Sequence, residues 1–490
     1  MRRDGNAQRG TSQEEGSTED LILYVDDPGK LPWDIQVDVL VIGGGGCGLV
    51  AALAGAEKGA QVFLVEKDKD PGGNTSLSQA MVPAAGTRLQ EEAGVDDSPE
   101  LMAEDILKYN GYESDPDLTL HVARESTKLV HWLMDSLGIN FELVTEFLYP
   151  GHSRHRIHAN HSRKGGNLVN DLLHAAAGYE NIDIAYTAPA KRLIATRADA
   201  AVVGAEVEIE GVGINLARAK KVILALNGFG AKHEMLGKYI PEMSDAYYFG
   251  HEGNTGEGIL WGEALGAQLE YMGAYQAHGS VAHPHGTLLT WAVISLGGYQ
   301  VNLQGRRFVN EYHGYSEHAL DVLRQEEGVA IDIFDQRIYD TVLDYEDFQQ
   351  CIKMGAIKKF GSIEELAESF RLPPEEMART YEEFQTAARG QTLDLLGRTD
   401  FGKPLEPPLY GAKVTGALFH TQGGLKVNHR AQVIRTDGTP IPNLYAGGGT
   451  AAGFSGKAGP GGYLSANGLL AALVLGKIAG EEAGSSALQV

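Results

Sequence analysis

The 490-residue sequence predicts an α/β protein: a mostly parallel sheet carrying a small β-meander, interrupted by an inserted α+β domain. Three stretches predict it. Residues 38–66, DVLVIGGGGCGLVAALAGAEKGAQVFLVE, run strand, glycine turn, helix and second strand. Residues 181–226 switch to the spacing of short strands separated by turns. Residues 271–410 lose the strand–helix rhythm, and beyond Gly411 the chain turns glycine-rich again, which points to a return to the first unit. The expected division is a disordered or extended tail over 1–30, a nucleotide-binding domain over 31–270 and 411–490, and a cap over 271–410.

Residues 37–42 are apolar apart from Asp38, the pattern of a strand buried on both faces of a parallel sheet. Gly43, Gly45 and Gly48 then give the spacing GxGxxG, with Gly46 inside the turn. The first glycine permits the tight turn, the second admits a pyrophosphate to the backbone, and the third brings helix and strand together. Cys47 occupies a slot that needs a small side chain. Glu66 closes the next apolar run, where a carboxylate accepts both hydroxyls of an adenosine ribose and disfavours a 2′-phosphate. With 63 glycines in the chain the motif alone is weak; the strand, helix, strand and acid around it carry the reading. Gly72, Gly73, Asn74 and Thr75 follow directly, where a fold for nicotinamide alone would begin another helix. This segment resembles the pyrophosphate and flavin loop of FAD proteins, so the unit reads as a Rossmann-like FAD-binding domain.

From residue 99 to 137 apolar side chains recur at helical spacing, giving two amphipathic helices, LMAEDILKYN and LHVARESTKLVHWLMDSLG, with Trp132 in the core. IDIAYTA, RLIATR, AVVGAEVEI and KKVILAL read as the meander, which ends at Asn227 and Gly228. In the cap, IEELAESFRLPPEEMARTYEEFQTAARG is helical, and Pro373 and Pro374 start a helix. The apolar run 468–479 is too short to span a bilayer and is expected to be a packed last helix.

The balance of 41 basic against 65 acidic residues, net −24, repels phosphate backbones and anionic membranes, so neither nucleic acid nor membrane is an expected partner. Cys47 and Cys351 are too few for a disulfide framework, and no CxxCH offers a haem attachment. Electrons must therefore come from, or pass to, an unidentified partner. The opening MRRDGNAQRGTSQEEGSTED has a twin arginine but no apolar stretch behind it, which predicts a polar tail and a cytoplasmic protein. A homo-oligomer is compatible with the sequence.

Five ordered motifs carry a resemblance over the chain from about Val37 to the last helix: GNTGEGI (Gly253 to Ile259), QAH (Gln276 to His278), VNLQGRRFVNE (Val301 to Glu311), HTQGGLKVN (His420 to Asn428) and PNLYAGGGTAAG (Pro442 to Gly453). They resemble the fumarate reductase and succinate dehydrogenase flavoprotein superfamily, and within it the 3-ketosteroid dehydrogenases. The resemblance implies FAD and hydride exchange at flavin N5. Its implied FAD contacts are Gly43, Gly45, Gly46, Gly48, Glu66, Lys67, Gly72, Gly73, Asn74, Thr75, Asn227, Gly228, Gly424, Gly448, Gly449, Ser465 and Leu469. No histidine lies in NTSLSQ, where succinate dehydrogenases attach flavin, which implies non-covalent FAD.

The departures narrow the reading. Where fumarate reductases carry an acid arginine after the RFVNE glutamate, this chain has Tyr315, similar to the PYxE tyrosine of ketosteroid dehydrogenases. The second arginine, which clamps a substrate carboxylate, has no counterpart in Gly456 to Ser465; GPGGYLS there resembles the GGYxS of Δ4-(5α) enzymes, implying Tyr463 and Ser465 as catalytic partners of Tyr315. The Δ1-type arrangement would put a tyrosine where Lys457 stands, and Lys457 is also a candidate for a polar or anionic substrate group.

Desaturating a ketone next to its carbonyl removes an α proton and a β hydride. A tyrosine of ordinary pKa, about 10, needs a relay, a cation or a helix dipole to serve as base. Tyr463 with Ser465 offers the relay, and backbone N–H groups at Gly461 or Gly462, or the Tyr315 hydroxyl, are candidate donors to the carbonyl oxygen. His278 and His420 match histidines that touch substrate or flavin, or serve as structural hydrogen-bonders. His152, His155, His158 and His161 recur every third residue, but the segment lacks a second ligand set and no metal site is expected. His158, Arg163 and Tyr149 are candidates for the mouth of the site. The expected activity is FAD-dependent α,β-desaturation of a cyclic ketone such as a 3-oxosteroid, or the reverse enone reduction. The alternatives are a fumarate- or urocanate-type reductase of an unsaturated acid and a non-catalytic flavin-binding protein.

Overall fold

The computed structural model describes residues 21–146 and 148–489; residues 1–20, most of the expected tail, lie outside the described residues. The remainder of that tail is not a tail. Ile22–Val25 forms strand β1, paired in parallel with a strand far along the chain, Ile22 opposite Leu193, because Ile22 buries its side chain in the main core.

β2 (Ile35–Ile42), α1 (Gly46–Glu57) and β3 (Val62–Val65) follow the predicted order. β2 and β3 run parallel, Val39 opposite Val62 and Ile42 opposite Val65. Successive residues Val39 to Ile42 are all buried, and since they point alternately to opposite faces, both faces of the sheet are covered. The two amphipathic helices form as Pro99–Tyr109 and Pro116–Asp135, each with a proline in its first turn and a side-chain cap, Ser98 and Asp115. Trp132 departs from expectation: it is half-buried against the core, and its Nε1–H donates to the Glu57 carboxylate at 2.9 Å.

The meander is narrower than its sequence suggested. β4 (Ile182–Ala185) pairs in parallel with β3 and so extends the parallel sheet. β5 (Ala190–Thr196), β6 (Val202–Ile209) and the start of β7 (Gly213–Leu224) are antiparallel. β7 then changes role: its second half runs parallel to β2, Lys221 opposite Val39 and Leu224 opposite Ile42. The sheet order is β1-β5-β6-β7-β2-β3-β4.

A second core gathers side chains from Ala282 to Val414, among them Tyr299, Phe334, Phe348 and Phe384. Its sheet contains β8 (Gly273–Ala282), β9 (Val329–Asp335) and β10 (Leu409–Thr421), with β10 between the other two. Helix α2 (Tyr315–Leu323) lies against β8. The predicted cap helices are Ile363–Phe370 and Pro374–Ala388. β10 crosses residue 410 without a break, and β11 (Pro440–Ala446) rejoins the first sheet parallel to β7.

The last helix, α3 (Asn467–Ala487), packs along α1. A methyl group added at Gly476, Gly480 or Gly484 would lie 2.5, 2.2 or 2.8 Å from the carbonyl oxygens of Cys47, Ala51 and Gly55, so backbone touches backbone along one glycine stripe. Among the described residues no helix is long and apolar enough to cross a membrane.

Candidate active site

One cavity runs from the glycine turn after β2 to the first turn of α3. At its β2 end, Gly43 has φ +110°, a conformation that suits glycine, and Gly48 lies so close beneath that a Cβ there would be 1.8 Å from the Gly43 oxygen. Glu66 is nearly buried; its Oε2 accepts from Gly44 N–H at 2.6 Å and its Oε1 from Asp68 N–H at 2.9 Å, leaving further lone pairs for a ribose. Lys67 Nζ is held by the Gly253 carbonyl and by Glu257 at 3.1 Å. Asn74 Oδ1 accepts from His251 N–H at 2.7 Å and from Asn254 at 2.9 Å, and Thr75 Oγ1 accepts from Gly46 N–H at 3.1 Å. These contacts hold open a glycine-walled trough at a helix N-terminus, which fits the pyrophosphate and ribose of FAD.

At the far end the lining is aromatic. Phe249, Phe419, His278 and Tyr315 stack in succession with ring centroids 4.7, 5.3 and 5.1 Å apart, Tyr463 meets Tyr315 edge-on at 6.4 Å, and His420 meets Tyr463 at 5.5 Å. Ser280 N–H donates to His278 Nδ1 at 3.1 Å, so the His278 proton sits on Nε2. Burial holds both imidazoles neutral, pushing His278 down to about 3 and His420 to about 4. Burial also raises Tyr463 to about 12, although its oxygen accepts a 3.2 Å hydrogen bond from Gly468 N–H in the first turn of α3, which opposes the rise. Tyr315 stands well above 10 through burial and its neighbour Tyr463, with the Ser465 hydroxyl pulling the other way.

Ser465 thus lies beside Tyr315, and the Tyr463 oxygen takes its hydrogen bond from Gly468 N–H. Ser465 Oγ is buried without a hydrogen bond of normal geometry, and its carbonyl accepts at 2.9 Å from His152 Nε2. The histidine run disperses to separate partners, His152 to Ser465, His158 to Thr87 and His161 to Glu142. Of the mouth candidates, Tyr149 lines the cavity, whereas His158 and Arg163 do not.

Gly43, Gly45, Gly46, Glu66, Lys67, Gly72, Gly73, Asn74, Thr75, Asn227, Gly448, Gly449, Ser465 and Leu469 all line the cavity, as do Tyr315, Tyr463, His278 and His420. Gly48, Gly228 and Gly424 lie behind its wall, where close packing explains them: a Cβ at Gly228 would be 2.0 Å from Thr421 Oγ1 and at Gly424 2.5 Å from the Thr450 oxygen. Lys457, Gly461 and Gly462 do not line it; Lys457 and Gly461 are exposed, and the Lys457 N–H is taken by Glu113 at 2.8 Å. Their backbone N–H groups are therefore not placed as donors inside the cavity. The sequence reading missed Phe249, Trp291 and Phe419. Phe419 and its neighbour His420 both reach the cavity because β10 bulges against β8, His420 pairing with Gln276 but Leu418 with Ala277. Strict alternation would have sent one of the two away.

Residues 38–463 match the family model described as an FAD binding domain. The probable fumarate reductase Ifc3 of Shewanella frigidimarina is 31% identical over 92% of this chain and 75% of its own length. The open conformation of a flavocytochrome c3 fumarate reductase superposes with TM-score 0.79 and 28% identity, covering 99% of this chain and 85% of that one. A 3-ketosteroid-Δ4-(5α)-dehydrogenase of Rhodococcus jostii, in complex with 4-androstene-3,17-dione, shares the fold at TM-score 0.71 and 24% identity over 95% of this chain and 99% of that one. With the trough, the phenols and these likenesses together, the chain belongs to the fumarate reductase family of FAD-binding flavoproteins and is an FAD-dependent oxidoreductase acting on CH–CH bonds.

Proposed function

We propose that this chain desaturates a neutral cyclic ketone at its α and β carbons, with a 3-oxosteroid the leading substrate, or runs the reverse enone reduction. One observation carries the proposal: among the described residues that line the cavity there is no arginine, and the lysine, Lys67, is tied to Gly253 and Glu257 beside the ribose-binding Glu66. The reacting end instead offers two phenols, two neutral imidazoles and apolar rings, a poor host for a dicarboxylate and a good one for a flat ketone.

Bound FAD supplies the acceptor for the β hydride. The chain does the proton work. Tyr463 accepts a hydrogen bond from Gly468 N–H, which polarises its own O–H toward a carbonyl oxygen, and a donor fixed at a developing oxyanion is worth roughly 2.7–4 kcal/mol. Tyr315 exchanges the α proton, and Ser465, whose Oγ is buried with no hydrogen-bond partner among the described residues, is available to relay it. The stacked rings of His278 and Phe419 exclude water from that exchange.

The test is anaerobic flavin absorbance during titration with saturated 3-oxosteroids, cyclohexanone and succinate. Bleaching by a ketone supports the proposal; no bleaching by any ketone and no reoxidation of reduced protein by an enone overturns it. A second reading, reduction of an unsaturated acid, is favoured by Arg163: its Nη2 pairs with Glu146 at 3.0 Å, but its Nη1 is buried without a hydrogen-bond partner, and its charge acts on the cavity-lining Tyr149. Reoxidation by fumarate or urocanate, lost in Arg163→Met, would establish that reading. Retention of FAD with no response to any of these compounds would indicate a non-catalytic flavin protein.

A further inference from the structure

Tyr315 is framed by two histidines, and both converge with Asp321. His313 ends the short turn Glu311–His313, while His318 and Asp321 stand three residues apart on α2 and so share a helix face. One donor atom from each of the three lies within 4.8 Å of the others. His313 Nε2 is already 3.5 Å from Asp321 Oδ2, against about 3.4 Å for two ligands holding a tetrahedral ion with bonds of 2.0–2.1 Å.

An ion pair between His313 and Asp321 would explain two of these residues but not the third. His318 is wholly buried, and its tautomer is fixed from behind. Gln300 Nε2 donates to the Gly279 carbonyl and to Ser280 Oγ, each at 3.0 Å, so its amide is oriented and Oε1 is left to accept from His318 Nε2 at 2.5 Å. The proton is therefore on Nε2 and the lone pair on Nδ1. Nδ1 has no hydrogen-bond partner. A Cβ at Gly279 would lie 2.7 Å from His318 Cδ2, so the Cδ2–Nε2 edge of the ring faces Gly279 and Gln300 and the Nδ1 edge faces the other way. A buried imidazole whose N–H is held by an oriented amide, and whose opposite lone pair is unpaired, has the arrangement of a metal ligand with its outer partner in place.

We propose that His313, His318 and Asp321 bind one zinc ion, with water completing a tetrahedron. Two imidazoles and one carboxylate suit zinc rather than magnesium or calcium. His313 and Asp321 are 32% and 26% exposed, which gives the ion an entry path. The site clasps the turn before Tyr315 to the helix that begins with it, so occupancy fixes the backbone on both sides of that phenol. Zinc binding is independent of the substrate reading.

The test uses the FAD-loaded full chain, freed of metal with EDTA and titrated calorimetrically with Zn²⁺, then with Co²⁺ as a spectroscopic substitute. The expected result is one Zn²⁺ per chain, Co²⁺ bands of four-coordinate type to the red of the flavin absorption, and at least tenfold weaker Zn²⁺ binding in both His313→Ala and Asp321→Asn. Because both substituted residues are partly exposed, thermal unfolding in EDTA should be unchanged in the two variants. Absence of Zn²⁺ uptake by the parent chain, or parent-like affinity in either folded variant, overturns the proposal.

Discussion

Tyr315 and Tyr463 share one cavity under different local influences, and that difference predicts separable phenotypes. Replacing Tyr315 by phenylalanine removes the proposed proton exchanger beside Ser465; turnover should fall about 10²–10⁴-fold with flavin absorbance retained. Tyr463→Phe deletes a donor polarised by Gly468 N–H and should cost about 10²–10³-fold, again in steady-state rates on yellow protein. Full activity in both variants would remove the phenols from the mechanism. Burial holds Tyr315 protonated well above pH 10, so desaturation, which in the proposed mechanism needs the ionised phenol, should accelerate about tenfold per pH unit from neutral into the alkaline range. Enone reduction needs the protonated form and should be level over the same interval; paired initial-rate profiles in both directions check the sign. At this scale the sequence placed Glu66, Asn74, Tyr315 and Tyr463 at the cavity, but not Lys457, Gly461 and Gly462 from the same glycine-rich segment as Tyr463. It was silent on Phe419, because a bulge breaks the alternation that would otherwise assign its face. His152 was likewise noticed for the wrong reason: its Nε2 supports the Ser465 carbonyl, a contact 313 residues away along the chain.

Elements were legible where periodicity was long, and less so where one element changes partners midway. The strand, helix, strand unit and the capped helices Pro99–Tyr109 and Pro116–Asp135 follow their patterns closely. β7 does not, since a single run of twelve residues is antiparallel at one end and parallel at the other, and local sequence carries no mark of where the neighbour changes. The stripe on α3 leads to a prediction. Gly480→Val places a branched side chain against the Ala51 carbonyl at 2.2 Å, contact that neither backbone can relieve without moving α1. We expect destabilisation at the upper end of the roughly 1–3 kcal/mol typical of overpacking, seen as a lowered thermal midpoint, together with weaker FAD retention. A buried pair gives a second check. Arg156, fully buried, binds Asp97 and Asp105 at 3.0 and 2.7 Å and anchors the segment that presents His152. Asp97→Ala strands much of that charge and should cost about 3–5 kcal/mol in chemical denaturation.

At the scale of the molecule, the two cores meet across the FAD trough, whose walls come from the turn after β2, the ends of β7 and β10, and the start of α3. A cofactor that touches so many separate segments should act as a clamp. Removal of FAD should lower the thermal midpoint, and saturation to about 100 times the dissociation constant should restore roughly 2.7 kcal/mol, measured by unfolding scans at graded FAD. The fold class was readable because glycine spacing and apolar runs are local properties. The loss of the arginine pair was readable too, but the aromatic wall was not, because it depends on which distant side chains the fold brings together.

The contact between α1 and α3 also bears on how the protein is made. Residues 46–57 form the helix that faces the cofactor phosphates, yet the surface that seats it belongs to residues 467–487. During synthesis, at about 5–20 residues per second, the helix must wait tens of seconds with its glycine face uncovered. Stable cofactor uptake is therefore a late event that waits for residues 467–487, and a ribosome stalled in the cap would hold a nascent protein carrying every GxGxxG residue and unable to keep its flavin.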